Sequence, residues 1–297
     1  MCCLKSLLHL LNAFNVLYDE PLRRHTSFRI GGPADALALP ESRDELRELI
    51  NILKKENIRF MIMGNGSNLL FSDSGYRGAI IKINRNMSNL SVSDDAVSAE
   101  AGALLSETAA AAMKSCLTGL EFASGIPGTV GGAVFMNAGA YGGEIKDVFV
   151  KAEVMSENGV SEYNAEQMDF GYRHSAIQKS GVLLSASFRL RAGSYESIKA
   201  KTDELTQERT SKQPLDMPSA GSVFKRPAGY FTGKLIMDSG LRGYTIGGAQ
   251  VSEKHCGFIV NKGGATCEDV LRLIGHIQKT VFDNYNVVLE PEIRIIK

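Results

Sequence analysis

Two glycine-rich loops constrain this chain more than any other feature. The first, Gly64-Asn65-Gly66-Ser67-Asn68, follows directly on the apolar run 59–63. The second, Gly125-Ile126-Pro127-Gly128-Thr129-Val130-Gly131-Gly132-Ala133, lies about 60 residues further on. Glycine removes the Cβ that would block a close approach, and successive backbone N–H groups in such a loop can converge on an anion. One such loop is an ordinary turn. Two, each after a strand-like run, favour a pyrophosphate held between them. The first loop is not the dinucleotide-binding fingerprint, because the third glycine position is Leu69. A Walker A loop is absent as well: Gly229-Tyr230-Phe231-Thr232-Gly233-Lys234 has the wrong spacing and Leu235 follows the lysine.

The glycines are an excess, 30 of 297 residues, or about 10% against an average near 7%. With only 8 prolines this is not a low-complexity linker. The length suggests roughly two domains and a core that needs no disulfides or metals. Lys plus Arg and Asp plus Glu are 33 each, so no global field exists to hold nucleic acid or an anionic membrane, and an acidic disordered chain is excluded. No protein partner is implied. The start of the chain has a short apolar run but no small-residue cleavage site after it. Leu4, Leu7, Leu8, Leu11 and Phe14 instead share one helical face over residues 1–14. No run reaches the ~18–20 apolar residues of a spanning helix. Cysteines 2, 3, 116, 256 and 267 form no C-x-x-C pair, which points to reduced thiols and a cytoplasmic protein. His255-Cys256 lacks partners at zinc spacing, so no metal site is expected.

Periodicity places the elements. Ser42-Arg43-Asp44-Glu45 reads as a capping box opening a helix with Leu46, Leu49, Ile50 and Leu53 on one face. With the apolar runs 36–39 and 59–63 this makes a β-α-β unit. A strand at 79–83, a hairpin turned at Asp94-Asp95 and a helix at 108–113 follow. A hairpin flanks Asn158-Gly159, a strand covers 182–190 and a charged helix covers 195–212. The chain ends in a capped helix after Thr266 and a strand at 287–289. The fold class is α+β. The division reads as 1–193 in two lobes (18–83 and 84–193), a connecting helix 194–213 and a smaller α+β domain 214–297.

Three segments could do chemistry. Arg173 in Gly171-Tyr172-Arg173-His174-Ser175 could fix a carboxylate bidentately, although such an arginine is often simply solvated. Ser222 and Lys225 form an S-x-x-K pair, a nucleophile and base in some acyl-transfer enzymes, but Gly221 and Pro227 argue against the helix that pairing needs. Ser222 could instead donate a proton beside a bound anion. Glu292, beside Pro291 at the end of the chain, reads as structural from residue type alone. Seven of the Lys and Arg residues lie between 212 and 262, against three Asp and Glu, so this part can meet a small polyanion.

These pieces, in this order, resemble the UDP-N-acetylenolpyruvoylglucosamine reductase family, flavoenzymes that complete UDP-N-acetylmuramate for peptidoglycan. The matching segments are His25 to Asp35, Gly64 to Leu70, the loop 124–139 with the Ala140-Tyr141-Gly142 that follows, and Gly171-Tyr172-Arg173. Then come Ala220-Gly221-Ser222-Val223-Phe224-Lys225, Gly247 to Ser252, His255 to Asn261, and Glu290-Pro291-Glu292. The resemblance implies a two-part FAD-binding region of the vanillyl-alcohol-oxidase (PCMH) type and a smaller substrate domain, whose C-terminal strand returns to the active site. It also implies NADPH as electron donor and UDP-N-acetylglucosamine enolpyruvate as substrate. The flavin would be non-covalent, since the first loop has no histidine to tether it.

By motif position the catalytic residues would be Arg173, Ser222 and Glu292, with Ser222 the proton donor. The cofactor residues would be Gly64, Asn65, Gly66, Ser67, Asn68, Leu69, Gly125, Pro127, Gly128, Thr129, Gly132, Ala133, Asn137 and Gly139. Substrate contacts would come from Tyr172, Lys225, Lys234, Arg242 and Gln250. Longer relatives carry an inserted tyrosine loop that covers the substrate. The roughly 50 residues between Arg173 and Ser222 leave no room for it. A sugar or hydroxy-acid oxidase of the same fold is the alternative enzyme, and a non-catalytic flavin binder the alternative class.

Overall fold

The computed structural model describes residues 9–179 and 181–297. Most of the helix expected over residues 1–14 lies outside the described residues.

A four-stranded sheet runs in the order Val16–Pro21, Pro33–Ala38, Tyr76–Lys82, Phe60–Met63. The expected β-α-β unit is therefore opened, with Tyr76–Lys82 lying between the strands on either side of the helix. That helix, Arg43–Lys55, begins where the sequence places it. The Ser42 Oγ accepts from the Glu45 N–H at 3.2 Å, but Glu45 bonds back to the amide of Glu41 rather than to that of Ser42. Its apolar stripe is fully used: Leu46, Leu49, Ile50 and Leu53 are buried, at roughly 1.5–3 kcal/mol each.

The contacts of the chain gather into two units. Among the described residues, one comprises 9–17, Leu37–Asn65 and Ala79–Arg209. It holds a five-stranded antiparallel sheet ordered Gly159–Asn164, Phe149–Ser156, Val182–Arg189, Ala96–Glu100, Leu90–Ser93. Ser156 faces Gly159 across the hairpin, so the turn is Glu157-Asn158, one residue earlier than the Asn158-Gly159 signal suggests. The other unit comprises Tyr18–Ala36, Gly66–Gly78 and Thr210–Lys297. Its sheet is ordered Ser219–Ser222, Phe258–Asn261, Ala249–Val251, Thr245–Ile246. Leu69–Phe71 pairs in parallel with Arg294–Ile296.

The two units interleave along the chain. The physical reason is the core of the second unit. Phe28, Ile30 and Leu70 are buried among Val223, Phe224, Ile236, Ile259, Leu273 and Ile277. Ser27 Oγ donates to the Ser219 carbonyl at 2.6 Å, and Asn261 Nδ2 to the Phe28 carbonyl at 3.2 Å.

The long helix Cys267–Tyr285 has both halves of a capping box, Asp269 N–H to Thr266 Oγ1 at 3.0 Å and Thr266 N–H to Asp269 Oδ2 at 3.1 Å. Asp73 caps it further, accepting from the amides of Cys267 and Glu268, as a carboxylate at a helix N-terminus should. The strand expected at 287–289 does not form. Asn286 ends the helix in a left-handed turn, Val288 is 75% exposed, and Pro291 has no N–H to give a ladder. Pairing returns only at the Phe224–Pro291 bridge and at Arg294–Ile296.

Candidate active site

The two glycine loops meet. Asn65 Nδ2 donates to the Pro127 carbonyl at 2.8 Å, and a Cβ on Gly64 would run into Thr129 Oγ1. Thr129 is buried and caps the short helix Val130–Phe135 by accepting from the Gly132 N–H at 3.3 Å. The amides of Val130 and Gly131 are already taken, at 2.8 Å each, by the carbonyls of Ala103 and Ala101. The start of that helix therefore offers shape rather than donors. In the first loop the amides of residues 64–68 enter no backbone hydrogen bond among the described residues. This is the open donor set an anion needs. Ala133 and Leu69 are buried supports, and Leu69 pairs with Arg294.

Asn137 is fully buried, with φ of 41°. Its side chain donates to the Gly171 carbonyl at 2.9 Å and to Glu144 Oε2 at 3.1 Å, and accepts from the Lys146 N–H at 3.0 Å. Those bonds tie the second glycine loop to the turn that carries Arg173. Gly171 and His174 exchange both backbone hydrogen bonds, leaving Tyr172-Arg173 as the tip of a two-residue turn. Arg173 sits there with φ of 56°, a left-handed conformation costing about 1–3 kcal/mol in a non-glycine residue. Gln178 Nε2 holds the Arg173 carbonyl at 3.0 Å, and Arg173 Nη2 reaches the Gly139 carbonyl at 3.4 Å. The guanidinium lies 4.9 Å from the centre of the half-exposed Tyr172 ring.

The Ser222 and Glu292 segments lie side by side. The Glu292 N–H donates to the Val223 carbonyl at 2.7 Å and the Lys225 N–H to the Glu290 carbonyl at 2.8 Å. Asn68 clasps the same stretch: its Nδ2 donates to the Glu292 carbonyl and its carbonyl accepts from the Arg294 N–H. Asn68, assigned to the cofactor by motif, uses its side-chain amide and its carbonyl on the Glu292 stretch, while its backbone N–H belongs to the open loop. Ser222 ends a strand after Gly221 (φ 76°), is exposed, and its hydroxyl has no hydrogen bond among the described residues.

Lys225 Nζ is held by Glu290 Oε1 at 2.5 Å. With Ser222 on a strand and Lys225 engaged elsewhere, the serine–lysine acylase pair is not assembled. The other proposed substrate contacts are also engaged. Lys234 pairs with Asp238 at 2.7 Å, a hydrogen bond that raises the lysine's affinity for its proton. Arg242 donates to Met237 Sδ and stands by Cys256, whose thiol burial pushes up and Arg242 pulls down. Gln250 is buried, bonded to the Gly243 carbonyl and Thr245 Oγ1, and braces the 245–250 hairpin.

Sequence reasoning named Asn68 and Asn137 for the cofactor, not as clamps, and missed Gln178. Their only sequence signal is an amide side chain inside a glycine-rich or turn-forming stretch.

Comparison with known proteins settles the family. The model of the UDP-N-acetylenolpyruvoylglucosamine reductase C-terminal domain matches residues 213–296, and the FAD binding domain model matches 34–162. A UDP-N-acetylenolpyruvoylglucosamine reductase of Caldanaerobacter subterraneus is 54% identical over 293 residues, 98% of this chain and 97% of the relative. The chain belongs to the UDP-N-acetylenolpyruvoylglucosamine reductase family. A Clostridioides difficile protein of the same name is 49% identical over 98% of this chain and 96% of its own length. The crystal structure of the Thermus caldophilus family member superposes with a TM-score of 0.83 at 32% identity, covering 96% of this chain and 99% of that one. Family membership brings with it the α+β fold with a two-part flavin-binding region of the vanillyl-alcohol-oxidase type, as expected from the sequence.

Proposed function

We propose that this chain reduces the enolpyruvyl group of UDP-N-acetylglucosamine enolpyruvate to give UDP-N-acetylmuramate, a cytoplasmic step of peptidoglycan precursor synthesis, using non-covalent FAD and NADPH. The observation that carries this is near-full-length similarity to relatives named for that reductase activity. The residues present fit FAD. Five consecutive loop amides await an anion, Gly64 and Thr129 interlock in a way no side chain at 64 would permit, and the first loop has no histidine for a covalent bond. Gly64 to Leu69 and the loop from Gly125 to Gly139 would hold it. When bound, it supplies a two-electron store between the nicotinamide and the substrate carbon.

The remaining chemistry belongs to side chains. Hydride arriving at the enolpyruvyl carbon remote from the carboxylate pushes electron density onto that carboxylate, making an enolate. Arg173 supplies the fixed positive charge that such a transition state needs. Its turn is clamped by Asn137 and Gln178, so little reorganisation is required. Glu292 is the hydrogen-bonding partner of the enol, on a segment fixed by Val223 and Asn68. Ser222 delivers a proton to the neighbouring carbon, a role suited to an exposed hydroxyl without a competing bond. General acid catalysis of this kind contributes about 10²–10⁴-fold.

The test is product chemistry. NADPH consumption should require the enolpyruvyl nucleotide, and the product should be heavier by two hydrogens. NADPH oxidation at the same rate without that substrate would sink the proposal.

A further inference from the structure

The charged helix Tyr195–Lys212 buries only Ile198 and Leu205 as apolar side chains. Arg209 follows Leu205 by four residues, so it lies on the same helical face. Its stem crosses Gly125: a Cβ there would stand 2.7 Å from Arg209 Cδ and 3.3 Å from Nε. Only a glycine at 125 lets this side chain lie across the second glycine loop. The guanidinium is half-buried, and burial lowers its affinity for its proton, offset in part by nearby Tyr141. Apart from the electrostatic influence of Tyr141, no ion pair or hydrogen bond of its guanidinium is seen among the described residues. A half-buried guanidinium with no carboxylate beside it is costly, so such a group normally meets an anion. Neighbouring cations of the helix do have partners: Lys199 pairs with Asp203 and Lys201 with Glu204.

We propose that Arg209 is a further cofactor-binding residue, its guanidinium laid over Gly125 to meet negative charge on the bound flavin nucleotide. This rests on the reading that the Gly125 loop holds FAD. The negative charge could be the diphosphate or the ring of the reduced flavin, and the experiment separates the two.

Apoprotein is prepared from the full chain and from R209Q, R209K and G125A, and each is titrated with FAD by fluorescence quenching. The FAD midpoint potential is measured on the reconstituted proteins. Loss of a charge-assisted contact should weaken FAD binding roughly ten- to a hundredfold in R209Q. R209K should recover part of that, and G125A should resemble R209Q because its methyl displaces the arginine. A salt-sensitive loss of affinity with an unchanged potential places the charge at the diphosphate. A potential that falls in R209Q places it at the ring. Affinity and potential both unchanged in R209Q would overturn the proposal. Failure of the unaltered chain to bind FAD at all would instead overturn the reading on which it rests.

Discussion

The side chain of Asn65 donates to the carbonyl of Pro127 at 2.8 Å, bridging two loops 62 residues apart in sequence. A neutral hydrogen bond of this kind contributes about 0.5–1.5 kcal/mol. N65A should therefore weaken FAD binding by up to about tenfold. G64A should weaken it more, because its methyl collides with Thr129 Oγ1. Titration of the apoproteins with FAD measures both, and an N65A affinity below that of G64A would contradict the interlock.

Asn137 joins the second glycine loop to the Arg173 turn. N137A takes the side-chain partner from the half-buried Gly171 carbonyl and from the Lys146 N–H, at a cost of about 1–3 kcal/mol. Thermal unfolding should show a correspondingly lower Tm. A Tm within a degree of the unaltered protein would mean that the clamp carries no stability.

How much of this was legible follows from where each signal resides. The stripe Leu46, Leu49, Ile50, Leu53 and the capping residue Thr266 are local, and both helices form as read. The glycine loops were visible because glycine declares the backbone's need for space. What stayed hidden depends on contacts distant in sequence. Phe28, Ile30 and Leu70 join the C-terminal core through packing that no window of neighbouring residues displays. The run 287–289 has strand-forming residues but joins no ladder, and Val288 stands 75% exposed. Lys225 and Lys234 look like free cations in sequence, and their partners Glu290 and Asp238 show otherwise. Arg209 could have been found, since it continues the stripe of Ile198 and Leu205 on an otherwise polar helix.

Ser222 is exposed and its hydroxyl makes no hydrogen bond among the described residues, so S222A should leave stability within about 0.5 kcal/mol. In stopped-flow, flavin reduction by NADPH should be unchanged, while reoxidation by substrate slows by about 10²–10⁴-fold. Equal slowing of both phases would remove Ser222 from the proton-donor role.

His255 gives a pH dependence. Burial holds its imidazole below the ordinary value of 6.5, and its Nδ1 accepts from the Gly257 N–H at 3.1 Å. The unfolded chain takes up a proton as pH falls through about 6.5 while the folded chain resists it. Its contribution is therefore complete above that pH and is lost progressively below it. Denaturant unfolding between pH 7.5 and 5.5 should show a shallower acid-side loss in H255N than in the unaltered protein. Parallel losses would show that another group is responsible.

The central claim is that one bound flavin serves both NADPH and the enolpyruvyl nucleotide. Under anaerobic conditions, the visible spectrum of the purified protein should show oxidised flavin that one equivalent of NADPH bleaches. One equivalent of UDP-N-acetylglucosamine enolpyruvate should then restore the colour. Flavin that bleaches but stays reduced when that substrate is added would contradict the account.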